Sequence, residues 1–228
     1  MKLNRLVQLK MNCGRKRARQ LIATAQVRVG EVVETDGHLQ VDPFTPVICG
    51  GQILQDRERL VILMNKPAGL LSATKDDRQQ TVMSLLPEEW REQLHIAGRL
   101  DKETTGLLIL TNDGKWSQEM TDPGSCGKVY EVTLELPLQQ GVEEAFQRGI
   151  YLAYEDLTTS PASLERVTLT TVRLTLYEGK YHQVKRMFHA VGNRVTSLHR
   201  VSVGPISLPL DLKPGDWRKL DLRDLRRG

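Results

Sequence analysis

The sequence predicts an α+β protein built from two parts of different size. Three observations support this prediction. The whole net charge of +4 lies in residues 1–54, which hold eight Lys/Arg and four Asp/Glu, whereas residues 55–228 hold 24 of each. Beyond residue 60, strand-like and helix-like runs are interspersed, and several strands alternate in polarity and are joined by short loops, as antiparallel strands are. We therefore expect a small basic domain at 1–54, a charged linker at 55–59 and a larger domain at 60–228.

The small domain is predicted to begin with a short helical hairpin. Residues 3–11 and 15–26 each carry apolar residues at helical spacing, and Asn-Cys-Gly separates them. The next run, VRVGEVV, places alternating β-branched residues around a glycine and predicts a β-hairpin. The Pro- and Gly-rich run DPFTPVICGGQI then predicts loops and a last strand.

The larger domain is predicted to be a largely antiparallel mixed sheet flanked by helices. Short apolar or alternating runs such as TVRLTLY indicate strands, and apolar residues at helical spacing indicate helices. The predicted strands are 60–65, 106–111, 128–136, 171–177 and 194–203. The predicted helices are 80–86, 114–121, 141–148 and 180–191. This order favours helices packed on one sheet.

Composition limits the classes of protein to which the chain can belong. A hydrophobic fraction of 39% and a charged fraction of 26% are typical of soluble globular proteins. No apolar run approaches the ~20 residues of a membrane helix, and the first residues lack the pattern of a secretory signal. Three widely spaced cysteines, Cys13, Cys49 and Cys126, argue against a disulfide framework. This cysteine usage also indicates a reducing, cytoplasmic setting. Because no CxxC or HExxH spacing occurs, we expect no metal site.

Two basic regions indicate that the partner is a long polyanion. The first region is the cluster Arg15, Lys16, Arg17 and Arg19, which contains no acidic residue. The second region, residues 179–210, also contains no acidic residue, and its basic residues are Lys180, Lys185, Arg186, Arg194 and Arg200. Charge runs are often only solvated faces. Two such regions on one chain fit a nucleic acid better than a small anionic metabolite.

Four stretches carry residues suited to chemistry: NKPAG (65–69), GRLDKETTG (98–106), GKVYEVTLEL (127–136) and EGKYHQVKRMFHAVGN (178–193). Taken singly, each has an ordinary structural explanation. Asp101 can cap a helix or pair with Arg99, and Tyr130 can be a half-buried strand residue. The run GSCGKV is not a phosphate-binding loop, because its glycine spacing is wrong and a strand follows the lysine.

Taken together, these stretches resemble the motifs of the pseudouridine synthases. The runs NKPAG, GRLDKETTGLLILTND, KVYEV and YHQVKRMF carry the resemblance, and SLHRVSVGPISL follows them. Residues 1–54 resemble the S4-like RNA-binding module through NRLVQ, RKRARQLI and VRVGEVV. Gly14 departs from that module, which often has a serine helix cap there. The branch that the chain resembles joins both parts and modifies small-subunit rRNA.

The resemblance implies that Asp101 is the catalytic carboxylate. The family breaks the N-glycosidic bond of a uridine and rejoins the uracil through C5, with no metal, redox change or cofactor. Asp101 is then the nucleophile at the sugar, or it stabilises the charge that develops there. By the same resemblance, Lys185 keeps Asp101 ionised, Tyr130 stacks on the uracil or transfers a proton, and Leu198 packs beside that tyrosine. Glu103 is expected to be loop surface.

The resemblance also implies RNA contacts around a base that has been flipped out of its stack. Arg99 and Arg186 are expected to hold phosphates or loops beside the pocket. The expected RNA-binding residues are Arg15, Lys16, Arg17, Arg19, Arg28, Lys180 and Arg200. The expected partner is small-subunit (16S) rRNA, free or in a partly assembled particle, and we expect a monomer without membrane contacts.

Three alternatives stay open on the sequence. The first is a sister synthase that acts on large-subunit (23S) rRNA, although the run SLHRVSVGPISLPLDLKPGDWRKL favours the small subunit. The second is a non-catalytic S4-type assembly factor, which loss of Asp101, Tyr130 or Lys185 would indicate, and all three residues are present. The third is a nucleoside or glycoside hydrolase, which requires a second catalytic carboxylate near Asp101.

Overall fold

The chain folds into two compact units, of which the first comprises Met1–Arg59 and the second begins at Leu60. The computed structural model describes residues 1–124 and 126–221. Ser125, which belongs to the run GSCGKV, and residues 222–228 lie outside the described residues. Within the described part, no helix has the length and apolarity needed to cross a bilayer.

The first unit packs two helices on a four-stranded antiparallel sheet. Its elements are α1 (Leu3–Lys10), α2 (Arg15–Ala23), β1 (Val27–Val29), β2 (Val32–Val33), β3 (Val47–Cys49) and β4 (Gln52–Gln55), with the strand order β2-β1-β3-β4. Asn12 takes a left-handed conformation in the turn between the helices, which asparagine tolerates better than most residues. Gly14 is the N-cap of α2 and offers no side-chain cap. The helical hairpin and the β-hairpin that the sequence predicts are both confirmed.

The end of β4 and the residues that follow it bond to the loop before β3 within the first unit. The Gln55 side chain donates to the carbonyl oxygens of Asp42 and Thr45 at 2.8 and 2.7 Å. Arg59 forms an ion pair with Asp42 at 2.9 Å, and its guanidinium lies 4.6 Å from the centre of the Phe44 ring. These contacts tie the segment between the units to the loop before β3.

The second unit is built on a nine-stranded mixed sheet. The strands of the unit are β5 (Val61–Lys66), β6 (His95–Ala97), β7 (Thr105–Thr111), β8 (Lys128–Leu134), β9 (Tyr151–Leu152), β10 (Leu157–Thr158), β11 (Ser163–Arg166), β12 (Thr171–Leu176), β13 (Val195–Val203), β14 (Ile206–Ser207) and β15 (Trp217–Lys219). The sheet has the order β11-β12-β8-β13-β7-β5-β15, with β14 beside β13 and β6 beside β7, while β9 and β10 form a separate hairpin. Among the described strands of this sheet only β13 and β7 pair in parallel, so the prediction of a largely antiparallel mixed sheet is confirmed.

The helices of the second unit are short. They are a 3-10 helix (Val82–Leu85), α3 (Glu88–Arg91), α4 (Gly114–Thr121), α5 (Val142–Arg148) and α6 (Gln183–Ala190). Helix α4 begins where the Asp113 side chain accepts a hydrogen bond from the Trp116 amide. Helix α6 begins three residues later than the sequence predicts, because His182 takes a left-handed conformation. The elements that the sequence does not predict, such as β6, α3 and β11, have two to four residues and are too short to show a periodicity.

Strands β5 and β7 are buried on both faces of the sheet. On β5, Ile62 and Met64 belong to the larger core cluster, and Val61 and Leu63 belong to the smaller one on the other face. Every residue of β5 is buried, which explains why its first four residues, VILM, are all apolar rather than alternating in polarity. The rings of Phe146 on α5 and Phe188 on α6, 4.9 Å apart, join these two helices in the larger cluster.

Strand β13 crosses β7 at an unusually close point. Gly106 of β7 lies opposite Arg200 of β13 at φ +100°, and a Cβ added there would lie 2.3 Å from the Arg200 carbonyl oxygen. Only glycine has room at this position. The Arg200 side chain is buried, and it donates to the carbonyl oxygens of Leu107 and Gly98 at 2.8 Å each.

Arg200 is therefore a correction to the sequence prediction, which placed it among the RNA-binding residues. Its side chain is only 1% exposed and its guanidinium is used within the fold. Nothing in the basic run around Arg200 distinguishes a buried arginine from an exposed one, because its acceptors lie about a hundred residues earlier in the chain.

The close crossing predicts that Gly106→Ala destabilises the second unit by about 2–4 kcal/mol, because alanine is strained at this φ and overlaps the neighbouring backbone. Urea unfolding measures the effect. Gly114→Ala is the matched control, since it opens helix α4 with no atom within 4 Å of the new Cβ and should leave stability equal or slightly higher. Equal stability of the two variants would contradict the tight crossing.

Candidate active site

Asp101 lies in a pocket that the loop before β7 forms with the start of α6 and with strands β8 and β13. The residues that line the pocket are Arg99, Leu100, Asp101, Thr104, Tyr130, Gly179, Lys180, His182, Gln183, Val184, Lys185 and Leu198. They come from three of the four stretches that the sequence singles out, together with the run around Leu198. Pairing of β13 with both β7 and β8 brings these distant segments together.

The carboxylate of Asp101 has two basic neighbours. Lys185 Nζ lies 3.8 Å from Asp101 Oδ2, and His182 Nε2 lies 3.5 Å from Asp101 Oδ1. Asp101 is partly removed from water, so an ion pair with Lys185 reduces the cost of keeping a charge there. Arg99 is exposed and lines the pocket, and the partner of Asp101 is Lys185 rather than Arg99.

His182 is a site residue to which sequence reasoning gave no role. It is the N-cap of α6 at φ +49°, and its ring stacks on that of Tyr181 with 3.8 Å between the ring centres. A non-glycine residue in this conformation is uncommon and often marks a constrained site. His182 and Lys185 are three residues apart, which places both on the side of α6 that meets Asp101.

Lys66 fixes the loop that carries Asp101. Its side chain is fully buried at the end of β5, and Nζ donates to the carbonyl oxygens of Pro67, Lys102 and Thr104 at 2.9, 2.8 and 2.9 Å. Burial lowers the pKa of Lys66 to about 8, and the nearby charges of Glu103 and Asp101 oppose that shift. The sequence offered one signal for this role, a lysine that closes an otherwise apolar buried strand.

Tyr130 and Leu198 line the deeper part of the pocket. Tyr130 projects from β8 and Leu198 from β13, and both belong to the larger core cluster. They lie on neighbouring strands, since Tyr130 pairs with Arg200 and Leu198 pairs with Val132. The pocket therefore combines an apolar wall with a charged group at the loop end of β7.

The remaining predicted pocket and RNA-binding residues of the second unit lie close to Asp101. Lys180 lines the pocket and forms an ion pair with Glu178. Arg186 lines a neighbouring cavity, which shares His182 and Lys185 with the Asp101 pocket, and it forms an ion pair with Glu155. Arg186 thus borders the site without lining the Asp101 pocket itself.

The predicted RNA-binding residues of the first unit are exposed. The four basic side chains of the cluster on α2 are Arg15, Lys16, Arg17 and Arg19. Arg15 and Arg19 line a shallow cavity together with residues of α1. Arg28 on β1 is also exposed and forms a weak ion pair with Glu31 at 3.4 Å.

Asp101 is the only carboxylate among the described residues that line its pocket. Glu103, two residues further along the loop, is exposed and is absent from the pocket wall. A hydrolase that activates water with a second carboxylate lacks that group here, which counts against the hydrolase alternative.

Comparison with known proteins places the chain in a family. A family model described as "RNA pseudouridylate synthase" matches residues 60–190. The "Ribosomal small subunit pseudouridine synthase A" of Pseudomonas aeruginosa is 44% identical over 227 residues, which cover 99% of this chain and 99% of that protein. The protein of the same name from Escherichia coli strain K12 is 41% identical over 222 residues, which cover 96% of each chain.

A solved structure is similar along the whole chain. The structure described as "Crystal structure of pseudouridylate synthase" is 34% identical, covers 99% of this chain and 98% of its own, and superposes with a TM-score of 0.71. The resemblance that the sequence motifs indicate is confirmed, and with it the class of enzyme, an isomerase that acts on RNA. The chain belongs to the RNA pseudouridylate synthase family.

Proposed function

We propose that the protein isomerises a specific uridine of small-subunit rRNA to pseudouridine during ribosome assembly. The observation that carries the proposal is the single pocket carboxylate, Asp101, held 3.8 Å from Lys185 beside Tyr130. The two bacterial relatives that match nearly the full chain bear names of small-subunit enzymes, which supports the small subunit over the large one. The substrate is the rRNA, free or in a partly assembled particle.

Asp101 acts at the sugar of a flipped uridine. The target base leaves its stack at a cost of a few kcal/mol and enters the pocket. Asp101 then attacks C1′ or stabilises the positive charge that develops there as the N-glycosidic bond breaks. Lys185, whose Nζ lies 3.8 Å from Asp101 Oδ2, offsets the cost of a negative charge in the pocket and helps to orient the carboxylate. One carboxylate suits this reaction, because the detached base must be kept from water rather than replaced by it.

Tyr130 and Leu198 hold the detached base. Both side chains are largely buried and offer apolar surface next to the carboxylate. An aromatic ring and an aliphatic side chain can pack on a planar base while it turns. The Tyr130 hydroxyl is then a candidate for the proton transfer that completes the reaction.

We propose that residues 1–54, which lie within the first unit, form an S4-like RNA-binding domain. The exposed cluster on α2 and the exposed Arg28 on β1 support this proposal. Arg99, Arg186 and Lys180 add positive charge around the pocket in the second unit. Contacts with phosphate from both units would fix the register of the RNA and offset the cost of flipping.

The protein is further proposed to act as a monomer in the cytoplasm. The longest described helix has nine residues, too short for a coiled-coil dimer. The basic surfaces of both units then remain available to a single RNA molecule.

Asp101→Asn is expected to abolish turnover and to leave RNA affinity within about tenfold of wild type, because phosphate contacts contribute most of the affinity. The assay is tritium release from small-subunit rRNA transcribed with 5-tritiated uridine, since the label leaves C5 when the base is rejoined there. Glu103→Gln is the control, because it removes an exposed carboxylate of the same loop and should leave release unchanged.

The choice of RNA decides between the proposal and its alternatives. If the wild-type protein releases no tritium from free small-subunit rRNA, partly assembled particles and then large-subunit rRNA are the next substrates to test. Release only from large-subunit rRNA would replace the proposed substrate. The absence of tritium release from all three substrates would contradict the proposal that the protein is an enzyme.

Alanine at Arg15, Lys16, Arg17 and Arg19 together is expected to weaken RNA binding. The slope of the logarithm of the association constant against the logarithm of the salt concentration should become shallower by about 3. Binding releases fewer counterions when the protein contacts fewer phosphates. A control variant removes four exposed charges of the second unit that do not line the pocket, namely Lys115, Arg148, Arg173 and Lys213. An unchanged slope in the α2 variant would show that this cluster does not contact RNA phosphates.

Lys66→Met is expected to lower the free energy of unfolding by about 2–4 kcal/mol, because three carbonyl oxygens, one of them in a buried hydrogen bond and two in part-buried ones, lose their donor. Turnover should fall as well, since the Asp101 loop is no longer fixed. The control is Lys102→Met, because the exposed Lys102 ammonium donates to the Gln79 side chain at 2.8 Å. Chemical unfolding and tritium release check the two effects, and a fully active and fully stable Lys66→Met would contradict the role of Lys66.

A further inference from the structure

Thr104 carries a hydroxyl that is buried at the Asp101 pocket without a partner. The residue is 2% exposed and lines the pocket. Its Oγ1 is shielded from solvent and has no hydrogen-bond partner among the described residues. A buried hydroxyl left in this state costs about 1–3 kcal/mol. Such a cost at a pocket wall points to a ligand that completes the hydrogen bond.

The backbone fixes Thr104 in relation to Asp101. The Thr104 amide donates to the Asp101 carbonyl oxygen at 3.1 Å, which closes a tight turn. The Thr104 carbonyl oxygen accepts from Lys66 Nζ at 2.9 Å. Both polar groups of the Thr104 backbone are therefore used in holding the loop, and the side-chain hydroxyl alone is left for another partner.

The next residue shows that the fold can satisfy a threonine hydroxyl in this loop. Thr105 Oγ1 lies 2.8 Å from His199 Nδ1 on β13, within hydrogen-bond distance. Thr104 and Thr105 have the same side chain and adjacent positions, yet the Thr105 hydroxyl is paired within the protein and the Thr104 hydroxyl has no partner among the described residues. This difference makes Thr105 a matched comparison for Thr104.

Burial increases from the charged groups of the pocket to its apolar wall. The side chains of Asp101 and Lys185 are 28% and 39% exposed. Thr104, Tyr130 and Leu198 are 2%, 8% and 7% exposed. The ribose and its phosphates stay with the RNA strand and meet the exposed groups, so the part of the nucleotide that reaches Thr104 is the flipped base.

We propose that the Thr104 hydroxyl donates a hydrogen bond to the uracil carbonyl oxygen next to the glycosidic bond. This inference rests on the proposed function. Breaking the N1–C1′ bond leaves the electron pair on the uracil, as a negative charge shared between N1 and the two carbonyl oxygens. A fixed donor at one of those oxygens stabilises the charge as it forms.

One donor serves the base both before and after it turns. Rotation by half a turn about the N3–C6 axis of uracil exchanges N1 with C5 and O2 with O4. The oxygen beside the sugar is thus O2 in the uridine and O4 in the turned base, at the same place. C5 then bonds to C1′ and loses its proton, and N1 gains a proton, so the reaction is balanced without a co-reactant.

Thr104→Val tests the proposal because valine keeps the shape of the side chain and removes the hydroxyl. We expect the single-turnover rate of tritium release to fall about tenfold to hundredfold, with RNA affinity unchanged. Stability should be equal or higher, because an unpaired buried hydroxyl is removed. Thr104→Ser keeps the hydroxyl and should recover most of the rate.

Thr105→Val is the matched control, since it removes a hydroxyl that pairs with His199 and should lower stability. Three results would overturn the inference: full activity of Thr104→Val, equal losses in the valine and serine variants, or a loss of stability in Thr104→Val like that of Thr105→Val. The proposed function fails separately, by a wild type that releases no tritium from any RNA tested.

Discussion

The close parallel pairing of β7 with β13 is the constraint on which the site depends. Asp101 lies in the loop just before β7, and Leu198 lies on β13 next to the strand that carries Tyr130. The two strands meet where Gly106 has no side chain to keep them apart. If the strands were further apart, the carboxylate and the apolar wall would belong to different surfaces. The buried Arg200 side chain stabilises the same crossing, because it donates to the carbonyl oxygens of Gly98 before the Asp101 loop and Leu107 after it.

Several groups around Asp101 lower the stability of the fold, and each is consistent with the proposed reaction. Lys66 is a fully buried cation, and burial lowers its pKa. His182 adopts a left-handed backbone, and the Thr104 hydroxyl has no hydrogen-bond partner within the part of the chain that the structure describes. A protein selected only for stability would replace such groups with apolar ones. Their concentration around one carboxylate is what a site prepared in advance for its substrate requires.

The two units are proposed to have different roles in RNA modification. The second unit holds the pocket, in which charged groups lie toward solvent and apolar ones lie deeper. The first unit has its own core and presents the α2 cluster on its surface. Base flipping needs affinity from many phosphate contacts as well as a closed pocket for the chemistry. In the proposed function, a separate basic unit would add affinity for RNA without placing further charges in the pocket.

The sequence alone determined the long elements and the main catalytic candidates. Strands such as β5 and β8 and helices such as α4 carry periodicities that local sequence reveals. Asp101 and Lys185 were identified through the resemblance of their motifs to a family, and the structure places them 3.8 Å apart.

The tertiary structure decided which polar residues are buried and what they contact. Thr104 and Arg200 read as ordinary loop or surface residues in the sequence, and the sequence does not show which carbonyl oxygens Lys66 binds. Both burial and these contacts depend on partners from distant parts of the chain. His182 lies beside Asp101 because the backbone takes a left-handed conformation at the start of α6. The periodicity of the sequence does not predict such a conformation. Periodicity describes the average environment of a segment, whereas the chemistry of this site depends on single atoms brought together by strand pairing.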